Sequence, residues 1–365
     1  MYKSIRPLLF KLSPETAHTQ TLYALKRAPT IIGAQWMLKK IFAVPPKPVV
    51  AFGLYFENPV GLAAGYDKDA IAVRGLSTLG FGHIEVGTIT PLPQPGNPHT
   101  RVFRLPEDQA LINRMGFPSA GSTAVLKSLK EIGHCNNPNK KENKTIEIHK
   151  FLPKEFPKRP QTKMILGVNI GKNKNTPNEE AVYDYLALLE LFAPCADYLT
   201  INISSPNTAG LRDLQGRAAL EALLKELDYQ RKYEQKTLRK RLPLLVKLSP
   251  DLSDAELDDA LDVILATNMD GVIATNTTLA REGLQSAHRS ETGGLSGSPL
   301  RVRSEAVLHQ IVKKLDGKIP VVSSGGIMSP DDAKRRLDLG AALVQLYSGL
   351  IYEGPGLVKK IVKSL

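Results

Sequence analysis

Short apolar segments alternate with amphipathic helical patterns through most of the chain. The apolar segments are residues 59–64, 83–88, 165–170, 198–204, 243–249, 271–277, 319–324 and 343–348. Between them, apolar positions recur at helical spacing, most clearly in residues 179–192, 218–234, 254–266, 304–315 and 330–339. Buried strands joined by crossover helices form parallel sheets. The eight segments therefore predict an α/β fold, a (β/α)8 TIM barrel.

The first 48 residues follow a different pattern. Apolar residues at positions 5, 8, 9 and 12 predict a short amphipathic helix. Ser13-Pro14-Glu15 then supplies an N-cap, a first-turn proline and a first-turn acid for a second helix that ends near Arg27. A third apolar run, residues 31–42, precedes the proline cluster at 45–48. We therefore predict a helical extension at 1–48 and a barrel at 49–365, which opens with a tight hairpin turning at Gly53.

The net charge of +12 lies in two segments. Residues 1–48 carry eight Lys and Arg against one Glu, a net +7, and residues 134–163 carry eight against three, a net +5. The second segment lacks periodicity, so we predict a mobile basic insertion between the second and third barrel strands. Composition alone leaves open that the basic helices simply pack on the barrel, or that they lie on a membrane surface. The sequence also leaves open whether the insertion contacts anionic lipid or is a plain loop.

Other features limit the class of protein. No run of 18 apolar residues and no secretory signal is present, so we expect neither a transmembrane helix nor export by such a signal. Cys135 and Cys195 have no metal-site spacing and make no disulfide framework, which is typical of a reducing compartment. We assign neither cysteine a role.

Polar residues and glycines follow every predicted strand, where barrels of this kind carry their chemistry. Gly325-Gly326 and Tyr347-Ser348, after the last two strands, indicate a phosphate held by backbone N–H groups. Lys68 and Lys247 offer positive charge, and several carboxamides offer paired donors and acceptors. No metal-ligand cluster is visible. Together, these residues at the strand ends favour a phosphorylated redox cofactor and a planar substrate that bears amide edges.

Six ordered motifs stand out along the chain: residues 202–208 (NISSPNT), 64–68 (AGYDK), 95–98 (PGNP), 101–105 (RVFRL), 113–117 (NRMGF) and 293–297 (GGLSG). They resemble the motifs of the dihydroorotate dehydrogenase family. The helical extension further resembles the quinone-dependent class of that family. The other class has a cysteine at position 205, where this chain has a serine.

The resemblance implies an FMN enzyme that oxidises (S)-dihydroorotate to orotate in pyrimidine (UMP) synthesis and passes the electrons to a membrane quinone. By its motif, Ser205 would be the base that removes the C5 proton while the C6 hydride goes to the flavin. Serine is a weak base, so the family suggests that Thr208 and Phe117 shape a water path for the proton. Ser204 would stabilise the turn.

The same resemblance assigns three groups of residues. The substrate would be held by Lys68, Asn113, Arg114, Met115, Gly116, Phe117, Asn202, Asn207, Asn276 and Thr277. FMN would be held by Ala64, Gly65, Thr88, Asn169, Asn202, Lys247, Thr275, Gly297, Gly326, Tyr347 and Ser348. The quinone passage would be lined by His18, Arg104 and Tyr347.

The resemblance also implies a monomer bound to an anionic lipid surface, on the cytoplasmic face of a bacterial inner membrane, with no metal and no nucleic-acid partner. Ser323-Ser324 departs from the expectation of small apolar residues before the glycine pair. Two other functions remain open from the sequence: a flavin barrel that reduces uridines in transfer RNA, suggested by the charge of +12, and a binding barrel without catalysis.

Overall fold

The computed structural model of the protein describes residues 2–135 and 164–365. The helices are α1 (Tyr2–Lys11), α2 (Pro14–Arg27), α3 (Ala34–Ile41), α4 (Val73–Leu76), α5 (Ser122–Glu131), α6 (Ala181–Phe192), α7 (Arg217–Leu238), α8 (Asp254–Ala266), α9 (Arg301–Leu315), α10 (Pro330–Asp338), α11 (Ser348–Glu353) and α12 (Gly356–Ser364). The strands are β1 (Val49–Ala51), β2 (Leu54–Phe56), β3 (Val60–Leu62), β4 (His83–Ile89), β5 (Val102–Leu105), β6 (Ala110–Asn113), β7 (Ile165–Ile170), β8 (Tyr198–Asn202), β9 (Leu244–Leu248), β10 (Gly271–Ala274), β11 (Gly294–Gly297), β12 (Val321–Ser324) and β13 (Leu343–Leu346).

Eight parallel strands close into a barrel, as the sequence predicted. Their order is β3, β4, β7, β8, β9, β10, β12 and β13, with β13 pairing back onto β3. All eight predicted segments fall on these strands. Both faces of the strands are buried, because crossover helices cover the outside and side chains fill the inside. The predicted (β/α)8 fold is confirmed.

The predicted hairpin closes the amino end of the barrel. Strands β1 and β2 pair antiparallel around a two-residue turn, Phe52-Gly53, in which both residues have positive φ. Such turns match the twist of a hairpin. Phe52 and Phe56 pack in one apolar cluster with Tyr198 inside the barrel. The hairpin therefore closes the amino end of the barrel.

A three-stranded antiparallel sheet covers part of the opposite, carboxyl end. It has the order β11-β6-β5, with Asn113 paired to both Val102 and Gly294. The sequence analysis did not predict this sheet. It holds the segment 113–117 against the barrel opening.

The extension is helical, with a cap at the predicted position. The Thr16 N–H donates to Ser13 Oγ (3.2 Å) at the start of α2. Tyr2 donates to the Ile351 carbonyl (2.5 Å), and Leu22 of α2 is buried in the main core. In the described part of the chain, no helix is long and apolar enough to cross a bilayer.

The expectation that the cysteines stay apart is wrong. Cys135, just after α5, forms a disulfide with Cys195, just before β8. Neighbouring units of the barrel bring these two loops together, although the cysteines are 60 residues apart in sequence. Spacing along the chain does not show that proximity. The predicted basic insertion lies outside the described residues, apart from His134 and Cys135.

Candidate active site

A cavity of about 140 Å³, partly open to solvent, lies at the carboxyl end of the barrel. Residues from seven of the eight barrel strands or from the loops that follow them, all except β7, line it together with residues of β11. The predicted residues that line it are Ala64, Gly65, Lys68, Thr88, Asn113, Met115, Gly116, Phe117, Asn202, Ser205, Asn207, Lys247, Thr275, Asn276, Thr277, Gly297, Gly326, Tyr347 and Ser348.

One end of the cavity is walled by small residues after β12 and β13. Gly326 has a φ of +72°, and a Cβ there would lie 2.4 Å from the Arg301 Cα, so only glycine fits this turn. Gly325 and Ser348 line the same end, and Ser348 Oγ lies 2.9 Å from Ser296 Oγ. A wall of backbone and hydroxyl groups without carboxylates suits an anionic phosphate.

A chain of side-chain amides runs across the floor of the cavity. Asn202 Nδ2 donates to Thr88 Oγ1 (2.8 Å) and to Asn169 Oδ1 (3.1 Å). Asn276 Nδ2 donates to Asn202 Oδ1 (3.4 Å) and to Ser204 Oγ (3.0 Å). These residues come from four strand ends, so barrel closure is what assembles them.

Ser205 and Ser204 differ in their surroundings. The Ser204 hydroxyl donates to Asn202 Oδ1 (3.1 Å) and accepts from Asn276, so it is held within the turn. Ser205 instead lines the cavity, is 6% exposed, and accepts a hydrogen bond from the Asn207 N–H (3.3 Å). Near it, Asn207 Nδ2 donates to Asn113 Oδ1 (3.1 Å), which ties the serine loop to β6.

Two lysines, the half-buried Lys68 and the buried Lys247, supply positive charge. Lys68 Nζ donates to the Gly65 carbonyl (3.0 Å) and contacts Met115 Sδ (3.4 Å). Burial lowers the pKa of Lys68 to about 8. Burial also lowers the pKa of Lys247, and the carboxylate of Glu85 opposes that change. Both lysines face a site that would accept negative charge.

Two predicted site residues do not line this cavity. The Arg114 guanidinium points away from it, pairs with Glu291 (2.6 Å) and lies over the Phe103 ring. Asn169 sits beneath the cavity wall, bonded to Thr88. The sequence analysis missed several lining residues. They are Ala63, Ser296, Leu300, Ser324, Ile327, Met328, Gln345 and Gly349, whereas Gly325, which also lines the cavity, was predicted as part of the phosphate site.

A second, larger cavity of about 820 Å³ lies between the extension and the barrel. His18, Arg104 and Tyr347, the residues predicted for a quinone passage, all line it. The His18 ring meets the Tyr66 ring edge-on, with 5.0 Å between centroids, and burial lowers the pKa of His18 to about 3. The imidazole is therefore neutral at physiological pH. Most of the other lining residues are apolar.

The two cavities have a common wall. Lys68, Met115 and Tyr347 line both of them. A molecule in the barrel cavity and another in the extension cavity would therefore be separated by one layer of side chains.

Comparison with known proteins agrees with this architecture. A family model described as dihydroorotate dehydrogenase matches residues 48–365. The chain belongs to the dihydroorotate dehydrogenase family. It is 46% identical over 366 residues to "Dihydroorotate dehydrogenase (quinone)" of Idiomarina loihiensis, covering 100% of both chains. It is 47% identical to the protein of the same name from Christiangramia forsetii, covering 99% of this chain and 97% of the relative.

Solved structures of the dihydroorotate dehydrogenase family share the fold. The Eimeria tenella enzyme in its ligand-free form superposes with a TM-score of 0.80 at 38% identity, covering 96% of this chain and 93% of that one. The complex of that enzyme with ferulenol gives a TM-score of 0.77 and covers 90% of that chain. The resemblance drawn from the six motifs is confirmed.

Proposed function

We propose that this protein oxidises (S)-dihydroorotate to orotate in pyrimidine biosynthesis and passes the electrons to a membrane quinone. The observation that carries this proposal is the common wall of the two cavities. A polar, amide-lined cavity and a largely apolar one meet at Lys68, Met115 and Tyr347. Full-length similarity to relatives named dihydroorotate dehydrogenase (quinone) supports the same reaction.

FMN is the cofactor that we infer for the barrel cavity. Its phosphate would be held by Gly326, Ser348 and their neighbours, where a side chain at 326 would collide with Arg301. Gln345 Oε1 is buried without a hydrogen-bond partner among the described residues, and Gln345 lines the cavity, which fits a ligand group opposite it. When bound, FMN supplies an acceptor for the hydride from C6 of the substrate. Lys247 would then offset the negative charge that develops on the reduced ring.

Ser205 is the residue that we propose as the base. It would take the proton from C5 of dihydroorotate, and its partly buried position limits competing contacts with solvent. Because a serine is a weak base, the proton needs a path onward. Thr208 has a buried Oγ1 without a partner among the described residues, and Phe117, in the motif 113–117, lines the cavity. Both fit the water path that we propose.

The substrate's carboxylate and amide edges are assigned to Lys68 and the carboxamides. Lys68 is charged below a pKa of about 8 and would pair with the carboxylate. Asn113, Asn207 and Asn276 offer both donors and acceptors to the amide edges. Met115, Gly116, Phe117 and Thr277 would complete the pocket.

We further propose that residues 1–48 form the quinone and membrane element, and that the protein is a peripheral monomer on the cytoplasmic face of the inner membrane. Exposed apolar side chains on the extension, among them Ile32 and Trp36, support a membrane contact. His18, Arg104 and Tyr347 would guide the quinone head toward the common wall.

A spectroscopic cycle tests the reaction. The purified protein should carry a flavin spectrum that dihydroorotate bleaches without oxygen and that a quinone restores. Fumarate and NAD should not restore it. A colourless protein that cannot take up FMN would contradict the proposal.

Substitution of the serines tests the base. Ser205→Ala should slow flavin reduction by dihydroorotate about 10²- to 10⁴-fold, because general base catalysis is lost, while FMN stays bound. Ser204→Ala is the matched control and should have a much smaller effect. Equal, mild effects of the two substitutions in stopped-flow measurements would overturn the assignment.

A further inference from the structure

Glu85 is a fully buried carboxylate inside the barrel, below the amide chain of the cavity. It lies on β4 and has 0% exposure. Its oxygens accept hydrogen bonds from Asn169 Nδ2 (2.8 Å), Tyr198 OH (3.1 Å) and Gln345 Nε2 (2.9 Å). An ionised carboxylate has no donor of its own, so these three contacts have one possible direction.

The orientation of Asn169 in turn restricts the orientation of the side-chain amides that follow it. Because Asn169 uses its NH₂ group on Glu85, its Oδ1 must face the other way. That oxygen accepts from Thr88 Oγ1 (2.6 Å) and Asn202 Nδ2 (3.1 Å). Asn202 Oδ1 in turn accepts from Asn276 Nδ2 (3.4 Å).

Asn276, the last side-chain amide of this series, has the same orientation. Asn276 Oδ1 accepts from the Thr277 N–H (2.8 Å). Each NH₂ group in the series therefore points back toward Glu85, and each carbonyl points toward the next amide. Packing cannot select this arrangement, since a flipped carboxamide has nearly the same shape. A group that only accepts can select it at Asn169. At Asn202 and Asn276 the Ser204 N–H (3.3 Å) and the Thr277 N–H, which only donate, favour the same orientation.

We propose that Glu85 is a positioning residue that fixes the amide orientation of Asn169 and, together with the Ser204 and Thr277 N–H groups, supports the orientation of Asn202 and Asn276 and the donor and acceptor pattern that they offer to dihydroorotate and orotate. Asn202 and Asn276 both line the cavity, so their orientation determines which ligand edge they can bind. The identity of the ligand rests on the function proposed above. The orientation of the three amides does not depend on that function.

Lys247 interacts electrostatically with Glu85, which opposes the lowering of the Lys247 pKa by burial. Lys247 is the ladder partner of Asn202 in the β8–β9 pairing and lines the same cavity as Gln345. A buried lysine favours a carboxylate in its vicinity, because the two charges reduce each other's cost of burial.

Orotate binding to the oxidised, FMN-loaded protein tests the proposal. The Kd can be followed through the change in flavin absorbance. Glu85→Gln replaces an acceptor-only group with one that can also donate, so Asn169 is free to flip. We expect the Kd for orotate to rise about tenfold or more, with the FMN content unchanged. Glu85→Asp keeps the carboxylate and should restore part of the affinity.

Tyr198→Phe is the matched control. It removes one hydrogen bond to Glu85 but leaves its charge and its contact with Asn169, so the Kd for orotate should stay within about threefold of the wild-type value. Equal loss of affinity in Glu85→Gln and Tyr198→Phe, or no loss in either, would overturn the proposal. Wild-type protein that fails to bind orotate would instead contradict the proposed function.

Neutron diffraction from crystals of the wild-type holoenzyme gives a test that needs no variant. Deuterium positions distinguish amide nitrogen from oxygen. We expect the ND₂ group of Asn169 to face Glu85. A deuterium on the Glu85 carboxyl group, or the Asn169 oxygen facing it, would overturn the proposal even if Glu85→Gln does not retain FMN.

Discussion

Lys68 illustrates how burial adjusts a single residue to its proposed task. The side chain reaches the cavity from the loop after β3 and is held by the Gly65 carbonyl. Burial lowers its pKa to about 8, so it is mostly charged at neutral pH but loses its proton within the range where many enzymes remain folded. A ligand carboxylate would be bound well only by the charged form.

We therefore predict that orotate affinity falls as the pH rises. Below a pH of about 8 Lys68 is protonated and the affinity should be constant. A bound carboxylate raises the lysine's pKa in the complex, so above the free-enzyme pKa the Kd should rise by about tenfold per pH unit. Flavin absorbance titrations from pH 6.5 to 9.5 would measure this. Lys68→Arg, which stays charged, should give a flatter profile; an unchanged break in that variant would contradict the role of Lys68.

For individual residues, the sequence was most informative where the residues belong to motifs. Asn202, Ser205 and Asn207 lie in one short motif after β8, and the structure places all three on the cavity. Arg114 also lies in a motif, but its side chain turns outward to Glu291, which no local pattern shows. Glu85 was missed, although a charged residue within the apolar segment 83–88 was a visible signal.

Contacts between elements attach the extension to the barrel. Arg104 of β5 donates to the Leu9 carbonyl (3.3 Å) and to the Leu12 carbonyl, and so caps the end of α1. A cation at this end also interacts favourably with the helix dipole. Glu15 of α2 binds Arg101 Nε (2.9 Å), just before the same strand. The helices α1 and α2 therefore contact the small antiparallel sheet, which the sequence analysis did not predict.

We predict that Arg104→Met impairs one half of the catalytic cycle. Loss of the cap should loosen the α1–α2 turn, which forms a wall of the second cavity, and slow flavin reoxidation by a short-chain quinone about tenfold. Flavin reduction by dihydroorotate should be nearly unchanged, because Arg104 does not line the barrel cavity. Stopped-flow measurements separate the two half-reactions.

Arg217→Met is the control for that substitution. Arg217 lies on the outer helix α7 and forms an exposed ion pair with Asp259, so neither half-reaction should change. Equal slowing of both half-reactions in Arg104→Met would indicate general loss of structure and would contradict the prediction.

Regular elements were predictable because their patterns are local. The barrel strands and the helix α8 over 254–266 follow from apolar periodicity, and Ser13 marks the start of α2. Strand β11 has the sequence Gly-Leu-Ser-Gly and forms only by pairing with β6, about 180 residues earlier in the chain. The Cys135–Cys195 bond likewise depends on barrel closure. Such long-range pairings leave no periodic signal.

Two neutral histidines, the buried His83 and the half-buried His18, affect the stability of the whole molecule. His83, inside the barrel, has no hydrogen-bond partner among the described residues, and burial lowers its pKa to about 3; His18 has a similar pKa for the same reason. The unfolded chain binds protons at these residues near pH 6.5, whereas the folded protein does not. The folded state therefore loses stability as the pH falls from about 6.5 toward 3.

We predict that His83→Phe reduces this acid sensitivity. Phenylalanine fits among Phe56 and Tyr198 and has no proton to bind. The slope of the unfolding free energy against pH between 6 and 4 should decrease by about 1.4 kcal/mol per pH unit, as measured by chemical denaturation. An equal slope in wild type and His83→Phe would show that His83 binds its proton in the folded state.

The surface of the whole molecule is asymmetric. Exposed apolar side chains concentrate on the extension, where Ile32 is fully exposed and Trp36 is 67% exposed, and Lys39 and Lys40 lie beside them on α3. Lys40 also stacks on the Trp36 ring, with 5.0 Å from Nζ to its centroid. Apolar groups next to lysines favour insertion at an anionic lipid surface, because burial of the apolar groups and attraction of the charges act together.

The double substitution Ile32→Ser and Trp36→Ser should therefore weaken binding to anionic vesicles by at least tenfold, since burial of each large apolar side chain contributes about 1.5–3 kcal/mol. Co-sedimentation with vesicles of defined composition measures the partition. Tyr229→Ser with Tyr233→Ser is the matched control, because these tyrosines are equally exposed but lie on α7 of the barrel. Flavin reduction by dihydroorotate should be unaffected in both double variants. Equal partition of the two variants would place the membrane contact elsewhere, whereas binding that is lost in high salt but insensitive to Ile32 and Trp36 would assign it to charge alone.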